Sequence, residues 1–229
     1  MADIFTDELQ AALGAPGCPV CRVVADSVRR WMDSFSREGR NDRATRGAFF
    51  AAGGFCQQHG LLFETVGQSS RGDTAVADVY RWLADRDIEL LAATRSQLAR
   101  PHRRLRLRLD RHGRCPGCEE SDAATQRKLS FLVEALRGSA TRERYTSSDG
   151  LCVPHLFEAA RRTASEQPEL SRFLLDDGQR RLTELCAQLD EFDRKRDHRF
   201  RHEAKGPEQR APSDAIRRYL GGVPIVNQA

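Results

Sequence analysis

The sequence predicts an all-α fold made of two pseudo-repeated helical hairpins, each clamped by a Cys3His metal site, plus long helices. Three observations predict it. Cys18-Pro19-Val20-Cys21 is followed by Cys56-Gln57-Gln58-His59, and the same order returns as Cys115-Pro116-Gly117-Cys118 with Cys152-Val153-Pro154-His155. The intervals from Cys21 to Cys56 and from Cys118 to Cys152 are 35 and 34 positions. That is longer than the dozen to twenty residues of a compact zinc finger, and it leaves room for a helix out and a helix back. Apolar residues recur at helical spacing through most of the chain.

Taken in order, residues 3–13 read as a short helix (Ile4, Phe5, Leu9, Leu13), stopped by Gly14-Ala15-Pro16-Gly17. Val20, Val23, Val24, Val28, Trp31, Met32 and Phe35 then form one apolar stripe. A helix of this length from Arg22 reaches about 24 Å outward at ~1.5 Å per residue. The turn Glu38-Gly39-Arg40-Asn41 allows a return helix over 42–52, which exits through Gly53-Gly54. The metal is thereby expected to close the open end of this hairpin. Cys-x-x-His puts its ligands at i and i+3 on one helical face. If Cys56 and Cys152 stand in first turns, the positive end of the helix dipole favours their thiolates.

Asp73 is the expected cap of a long helix to about Arg100, carrying Val76, Val79, Tyr80, Leu83, Leu90, Leu91 and Leu98 and ended or kinked by Pro101. Residues 102–114 alternate Leu105, Leu107 and Leu109 with Arg106 and Arg108, a period that suits a short extended segment or a distorted helix. The second outgoing helix carries Leu129, Phe131, Leu132, Val133 and Leu136, but its first turns are polar at Glu119, Glu120, Ser121 and Asp122. Gly150-Leu151-Cys152 mirrors Gly54-Phe55-Cys56. Pro168 opens another long helix with Leu170, Phe173, Leu174, Leu182, Leu185, Leu189 and Phe192, and a last amphipathic helix is expected over 215–220. Two similar halves, 1–100 and 101–229, the second with a C-terminal helical extension, are the expected domains.

The candidate metal ligands are Cys18, Cys21, Cys56, His59, Cys115, Cys118, Cys152 and His155, six of the seven cysteines and two of the six histidines. Buried thiols packing as small hydrophobes would not account for the paired spacing. No basic n-region or apolar h-region opens the chain, so a cytoplasmic setting is expected, which disfavours disulfides. Three thiolates and an imidazole suit tetrahedral Zn²⁺, two ions per chain, with no position left open for catalysis. An iron–sulfur cluster is the alternative, though four cysteines are its usual complement. Cys186 follows Leu182 by one turn and reads as a core cysteine. His198 and His202 stand at i and i+4, but with no third ligand beside them they read as a solvated face.

With 39 % hydrophobic and 31 % charged residues, the chain can bury a core and still carry exposed helical faces. No apolar run approaches the ~20 residues that span a bilayer, so no membrane association is expected. The net charge of +4 does not imply nucleic acid. The arginines between Arg95 and Arg114 form a basic patch around Asp110, which could meet phosphates. No aromatic residue interleaves them, so the favoured reading is a connector paired with Glu119, Glu120 and Asp122. Nucleic acid through Arg100–Arg114 is thus possible but not favoured, and a protein is the expected partner. No Walker A, dinucleotide-binding or nucleophile-elbow motif is present, and no catalytic residue is assigned.

The two C-P-x-C…G-[FL]-C-x-x-H units and the stretch Asp197-His198-Arg199-Phe200 resemble a family of uncharacterised bacterial helical proteins with duplicated Cys/His sites. The resemblance implies an all-helical architecture with both ligand sets in use. It brings no activity with it. Two functional classes follow: a zinc-stapled, non-enzymatic interaction or regulatory module, or an iron–sulfur protein of redox sensing or electron transfer.

Overall fold

A computed structural model describes residues 2–69, 73–98, 113–200 and 202–221. Within them the chain is all-α, as expected: α1 (Ala2–Leu13), α2 (Pro19–Arg37), α3 (Arg43–Ala52), α4 (Gln57–Ser69), α5 (Asp73–Leu98), α6 (Pro116–Ala135), α7 (Ser139–Ser147), α8 (Val153–Thr163), α9 (Pro168–Arg196) and α10 (Ala211–Leu220). Short 3-10 turns occupy Gly39–Asn41 and Pro207–Arg210. The alternating leucines and most of the arginine patch, residues 99–112, lie outside the described residues.

Local chemistry explains the boundaries. The Asp42 side chain accepts the Thr45 N–H at 2.7 Å and so caps α3. Gly53 ends that helix in the left-handed region, where a side chain would be strained. Pro19, Pro116 and Pro168 each open a helix, where a missing N–H costs nothing and the fixed φ is already helical.

The described residues group into two compact units, and each draws on both the 1–100 and the 101–229 stretches. One unit holds those within Met1–Ala25 and Thr125–Pro224: α1, the first turns of α2, the later turns of α6, and α7 to α10. Its core includes Leu9, Leu13, Val20, Leu129, Leu132, Leu136, Tyr145, Leu156 and Leu174, all buried. Here α8, α9 and α10 pack on one another. Asp177, buried on α9, pairs with Arg180 and Arg181.

The other unit holds the described residues within Asp26–Ala124: the later turns of α2, α3 to α5, and the first turns of α6. Its core is aromatic. Phe35 stands 5.5 Å from Trp31, 5.8 Å from Phe49, 5.3 Å from Phe55 and 5.5 Å from Phe63, mostly in edge or tilted contacts that suit ring quadrupoles.

Two expectations along α9 are corrected. Cys186 is exposed, not a core residue. The buried positions of α9 include Leu170, Leu174, Gly178 and Leu185, and Cys186 is one step, roughly 100°, around from the last of them. The helix also ends at Arg196, so His198 and His202 do not share a helical face. His198 instead turns its Nδ1 to Asp197 at 3.2 Å.

Candidate metal centres

All four half-motifs sit at helix N-termini. Cys18 and Cys115 immediately precede α2 and α6, and Cys56 and Cys152 immediately precede α4 and α8. The carbonyl of Cys18 accepts the Arg22 N–H, and that of Cys115 accepts the N–H groups of Cys118 and Glu119. Each Cys-Pro-x-Cys therefore has its first cysteine at the helix entry and its second one turn in. Each Cys-x-x-His has its cysteine at the entry and its histidine in the first turn.

The halves combine across the sequence and not within it. Cys18 and Cys21 meet Cys152 and His155, whereas Cys56 and His59 meet Cys115 and Cys118. In each group the ligand atoms lie within 4.8 Å of one another. This corrects the expected pairing: a metal here does not close the hairpin that separates Cys21 from Cys56. The physical reason lies in helix length. α2 is 19 residues long and α3 only 10, about 28 Å out against about 15 Å back at ~1.5 Å per residue, so the return helix by itself does not carry Cys56 back to Cys21.

The first centre, in the unit containing α8, has Cys21 Sγ 3.7 Å from Cys152 Sγ. His155 Nδ1 lies 3.5, 3.4 and 3.2 Å from the sulfurs of Cys18, Cys21 and Cys152. In the second centre Cys56 Sγ is 3.8 Å from Cys118 Sγ, and His59 Nδ1 is 3.3, 3.6 and 3.5 Å from Cys56, Cys115 and Cys118. A tetrahedral ion at about 2.3 Å from sulfur and about 2.0 Å from nitrogen needs edges of about 3.7 Å between sulfurs and about 3.5 Å from sulfur to nitrogen. Each cluster fits one metal ion.

No family model, curated protein or solved structure matches the chain.

Function must therefore be argued from these two sites, and their surroundings differ. Around the first, the Gly17 N–H donates to Asp149 Oδ2 at 2.6 Å, tying the approach to Cys18 to the loop before Cys152. Arg181 reaches from Asp177 to the carbonyls of Ser148, Tyr145 and Thr146, and the Leu151 N–H meets the Tyr145 hydroxyl at 3.4 Å. Gly150 makes this possible, because a Cβ there would stand 2.6 Å from Arg181 Nε and its φ is +70°. Gly221, just past α10, lies against the sulfurs themselves. Around the second centre, Gly117 faces the ring of His59, where a Cβ would fall 2.6 Å from Cγ. That contact explains why the second Cys-Pro-x-Cys carries glycine where the first carries the buried Val20.

Without metal the two centres hold their protons differently. Burial opposes ionisation of Cys18, but hydrogen bonds from Cys152, Cys21 and His155 outweigh it and hold the thiol well below its ordinary value. Hydrogen bonds to Cys152 and Cys18, with burial, push the Cys21 thiol up. Burial works against a charged His155, yet Cys152 and Cys18 raise its pKa to about 10. His59 is the reverse: burial alone lowers it. Cys56 is held low against the pull of burial, chiefly by the His59 backbone N–H and by Cys115, as expected of a thiolate at a helix entry. Cys118 is pushed up to about 12 by burial and by the charge of Cys115.

Sequence reasoning named all eight residues that cluster but missed which pairs meet. It also missed Arg181, Tyr145 and Gly221, whose roles depend on contacts between distant segments. The Gly-Leu-Cys and Gly-Phe-Cys repeats did carry a legible signal, since Gly150 and Gly54 both adopt positive φ.

Proposed function

We propose that this is a zinc-stapled, cytoplasmic helical protein that acts as a non-enzymatic interaction or regulatory module, with two zinc ions per chain. The observation that carries the reading is the closeness of each donor set. Three sulfurs and one imidazole nitrogen within 4.8 Å of one another leave room for one small ion and complete a tetrahedron. A complete tetrahedron of protein donors leaves no position for substrate, which favours a structural over a catalytic role. An iron–sulfur cluster spreads its ligands over separate irons and needs wider spacing than these edges, so the geometry favours a single ion.

The staples join helix entries that are far apart in sequence and leave other faces free for partners. Ile216, Tyr219 and Leu220 on α10 are exposed, as are Ile88 and Leu91 on α5. The test is the metal content of protein purified without oxygen. Two zinc ions per chain in a colourless sample are expected, and substitution by cobalt should give the spectrum of a tetrahedral three-sulfur, one-nitrogen site. A brown sample with iron and acid-labile sulfide would overturn the reading.

A further inference from the structure

The surface shared by α3 and α5 joins two half-buried aromatic rings to two exposed guanidinium groups. Phe49 points into the core, and its neighbour Phe50 turns outward to Trp82, with ring centroids 6.3 Å apart and planes tilted by 42°. Arg86 Nη1 donates to the Phe50 carbonyl at 2.7 Å, which fixes the end of α3 on α5 and keeps the two rings in register. Arg43, Arg46 and Phe50 follow one another at i, i+3 and i+7, along one helical face. The Arg46 guanidinium stands over the Trp82 ring, 5.6 Å from its centroid. Between them Gly47 leaves open space, because a Cβ there would meet nothing within 4 Å. The result is an open pocket of about 530 Å³ lined by Arg43, Arg46, Gly47, Phe50, Trp82 and Asp85. Its one carboxylate, Asp85, faces Arg81 at 3.9 Å. Neither Arg43 nor Arg46 forms a salt bridge among the described residues.

We propose that this surface is a stacking platform for single-stranded nucleic acid, a partner class that deepens the interaction-module reading and rests on it. A base stacks on Trp82 beside Phe50, and Arg46 moves on its exposed side chain from the ring to the phosphate. Arg43, one turn back on α3, takes the neighbouring phosphate. Once Arg46 has left it, the aromatic face accepts any base, so the recognition is tolerant of sequence and dependent on salt. A peptide of acidic residues alone would satisfy the arginines but has no planar group to cover the indole. A duplex hides its base faces. A single strand offers both chemistries, repeated along its length.

The experiment uses the full-length chain with its metal content measured on every sample. Trp31→Phe leaves Trp82 as the only tryptophan, whose fluorescence then reports stacking. Titration with oligothymidylate of about 15 nucleotides should quench it, with affinity falling as salt rises by about 0.7 log units per log unit for each phosphate contact. Trp82→Ala should weaken binding roughly ten- to hundred-fold, as loss of one stacked base does, while Trp82→Phe retains most of it. Arg43→Gln with Arg46→Gln should weaken binding and flatten the salt dependence. Oligoglutamate of equal charge and the matching duplex should bind far more weakly. The platform is overturned by no quenching at low salt in fully metal-loaded protein, by binding indifferent to these substitutions, or by equal binding of oligoglutamate. Protein that holds no zinc as purified and takes none up on addition, yet shows this quenching, would instead sink the zinc reading and leave the platform standing.

Discussion

The sulfurs of Cys21 and Cys152 lie 3.7 Å apart, although 131 positions separate the two residues in the chain. Cys56 and Cys118 meet at 3.8 Å across 62 positions. Each centre therefore fixes a long-range contact that would otherwise be entropically expensive to form, and the cost rises only slowly with loop length. Metal loading would thus choose the partners of α2 and α6 as well as stabilise their first turns. Structural zinc contributes on the order of 10 kcal/mol where no site exists in the unfolded chain, comparable to the whole stability of a typical domain.

The crossed pairing makes a stoichiometric prediction. Cys18→Ser with Cys21→Ser should lose one zinc, and adding Cys152→Ser with His155→Ala should lose no more. Adding Cys56→Ser with His59→Ala instead should lose both ions. Zinc counted by mass spectrometry of the intact chain under native conditions decides it. The opposite pattern, with Cys18 and Cys21 silent only beside Cys56 and His59, would restore the contiguous hairpin pairing.

The helices were legible because their signals are local. Apolar stripes placed α2 and α6, the turn Glu38-Gly39-Arg40-Asn41 announced the return helix α3, and Pro168 marked the entry of α9. The eight clustered residues were legible because cysteine spacing is a chemical signature. Which pair meets which was not, since contiguous and crossed arrangements leave identical spacings in the sequence. Cys186 was misplaced for a related reason. Periodicity groups apolar residues but does not mark which of them stays covered: Leu182 is only half-buried, Leu185 is buried, and Cys186 lies one step round from it on an exposed side.

Proton competition should distinguish the centres. The metal-free His155 has its pKa raised to about 10, so zinc must displace its proton at every pH below that value. His59 is lowered from its ordinary value near 6.5 and is already neutral above it. Between about pH 7 and 9 the first centre should therefore gain roughly tenfold more affinity per pH unit from its histidine than the second. Chelator competition on the Cys115→Ser/Cys118→Ser and Cys18→Ser/Cys21→Ser variants measures each centre alone. Parallel pH profiles would contradict the assignment of His155 as the cationic histidine.

Gly117 should be irreplaceable at the second centre. A Cβ would lie 2.6 Å from His59 Cγ, and the ring cannot retreat without leaving its three sulfurs. Gly117→Ala should weaken zinc at that centre by roughly 10–100-fold, the range expected when the support of a ligand is disturbed. The first centre should keep its ion. Unchanged affinity at both centres would show that the helix entry shifts to accommodate the methyl group.

Arg181 is expected to act on the first centre without touching it. It bridges buried Asp177 to three carbonyls of the turn that leads to Cys152. Arg181→Met keeps much of the packing but leaves those carbonyls and part of Asp177 unpaired. Removing one partner of a buried pair typically costs about 3–5 kcal/mol, and Arg180, which also binds Asp177, should hold the loss to the lower end. Chemical denaturation of zinc-loaded protein gives the value. A loss below about 1 kcal/mol, the range of a surface pair, would mean that the turn is held by the metal alone.

The end of α10 supplies the most exacting test of the first centre. Gly221 has φ +64° and ψ −171°, a region that only glycine occupies without strain. A Cβ on it would stand 3.1 Å from Cys152 Sγ and 3.3 Å from Cys21 Sγ, both closer than ordinary contact with sulfur. Arg218 fastens the same helix to the carbonyls of Asp149 and Leu151 at 2.8 and 2.9 Å, so α10 cannot simply slide away. Gly221→Ala must therefore strain the backbone, by about 1–3 kcal/mol, or displace the two sulfurs. Either response should reach the metal. We expect weaker zinc at the first centre, a cobalt spectrum altered at that centre only, and faster proteolysis within α10. Adding Arg218→Ala should restore much of the metal affinity, because it frees the helix end to move off the sulfurs, while proteolysis becomes faster still. If Gly221→Ala instead left metal affinity and cobalt spectrum unchanged, the approach of α10 to Cys21 and Cys152 would be no more than a loose contact.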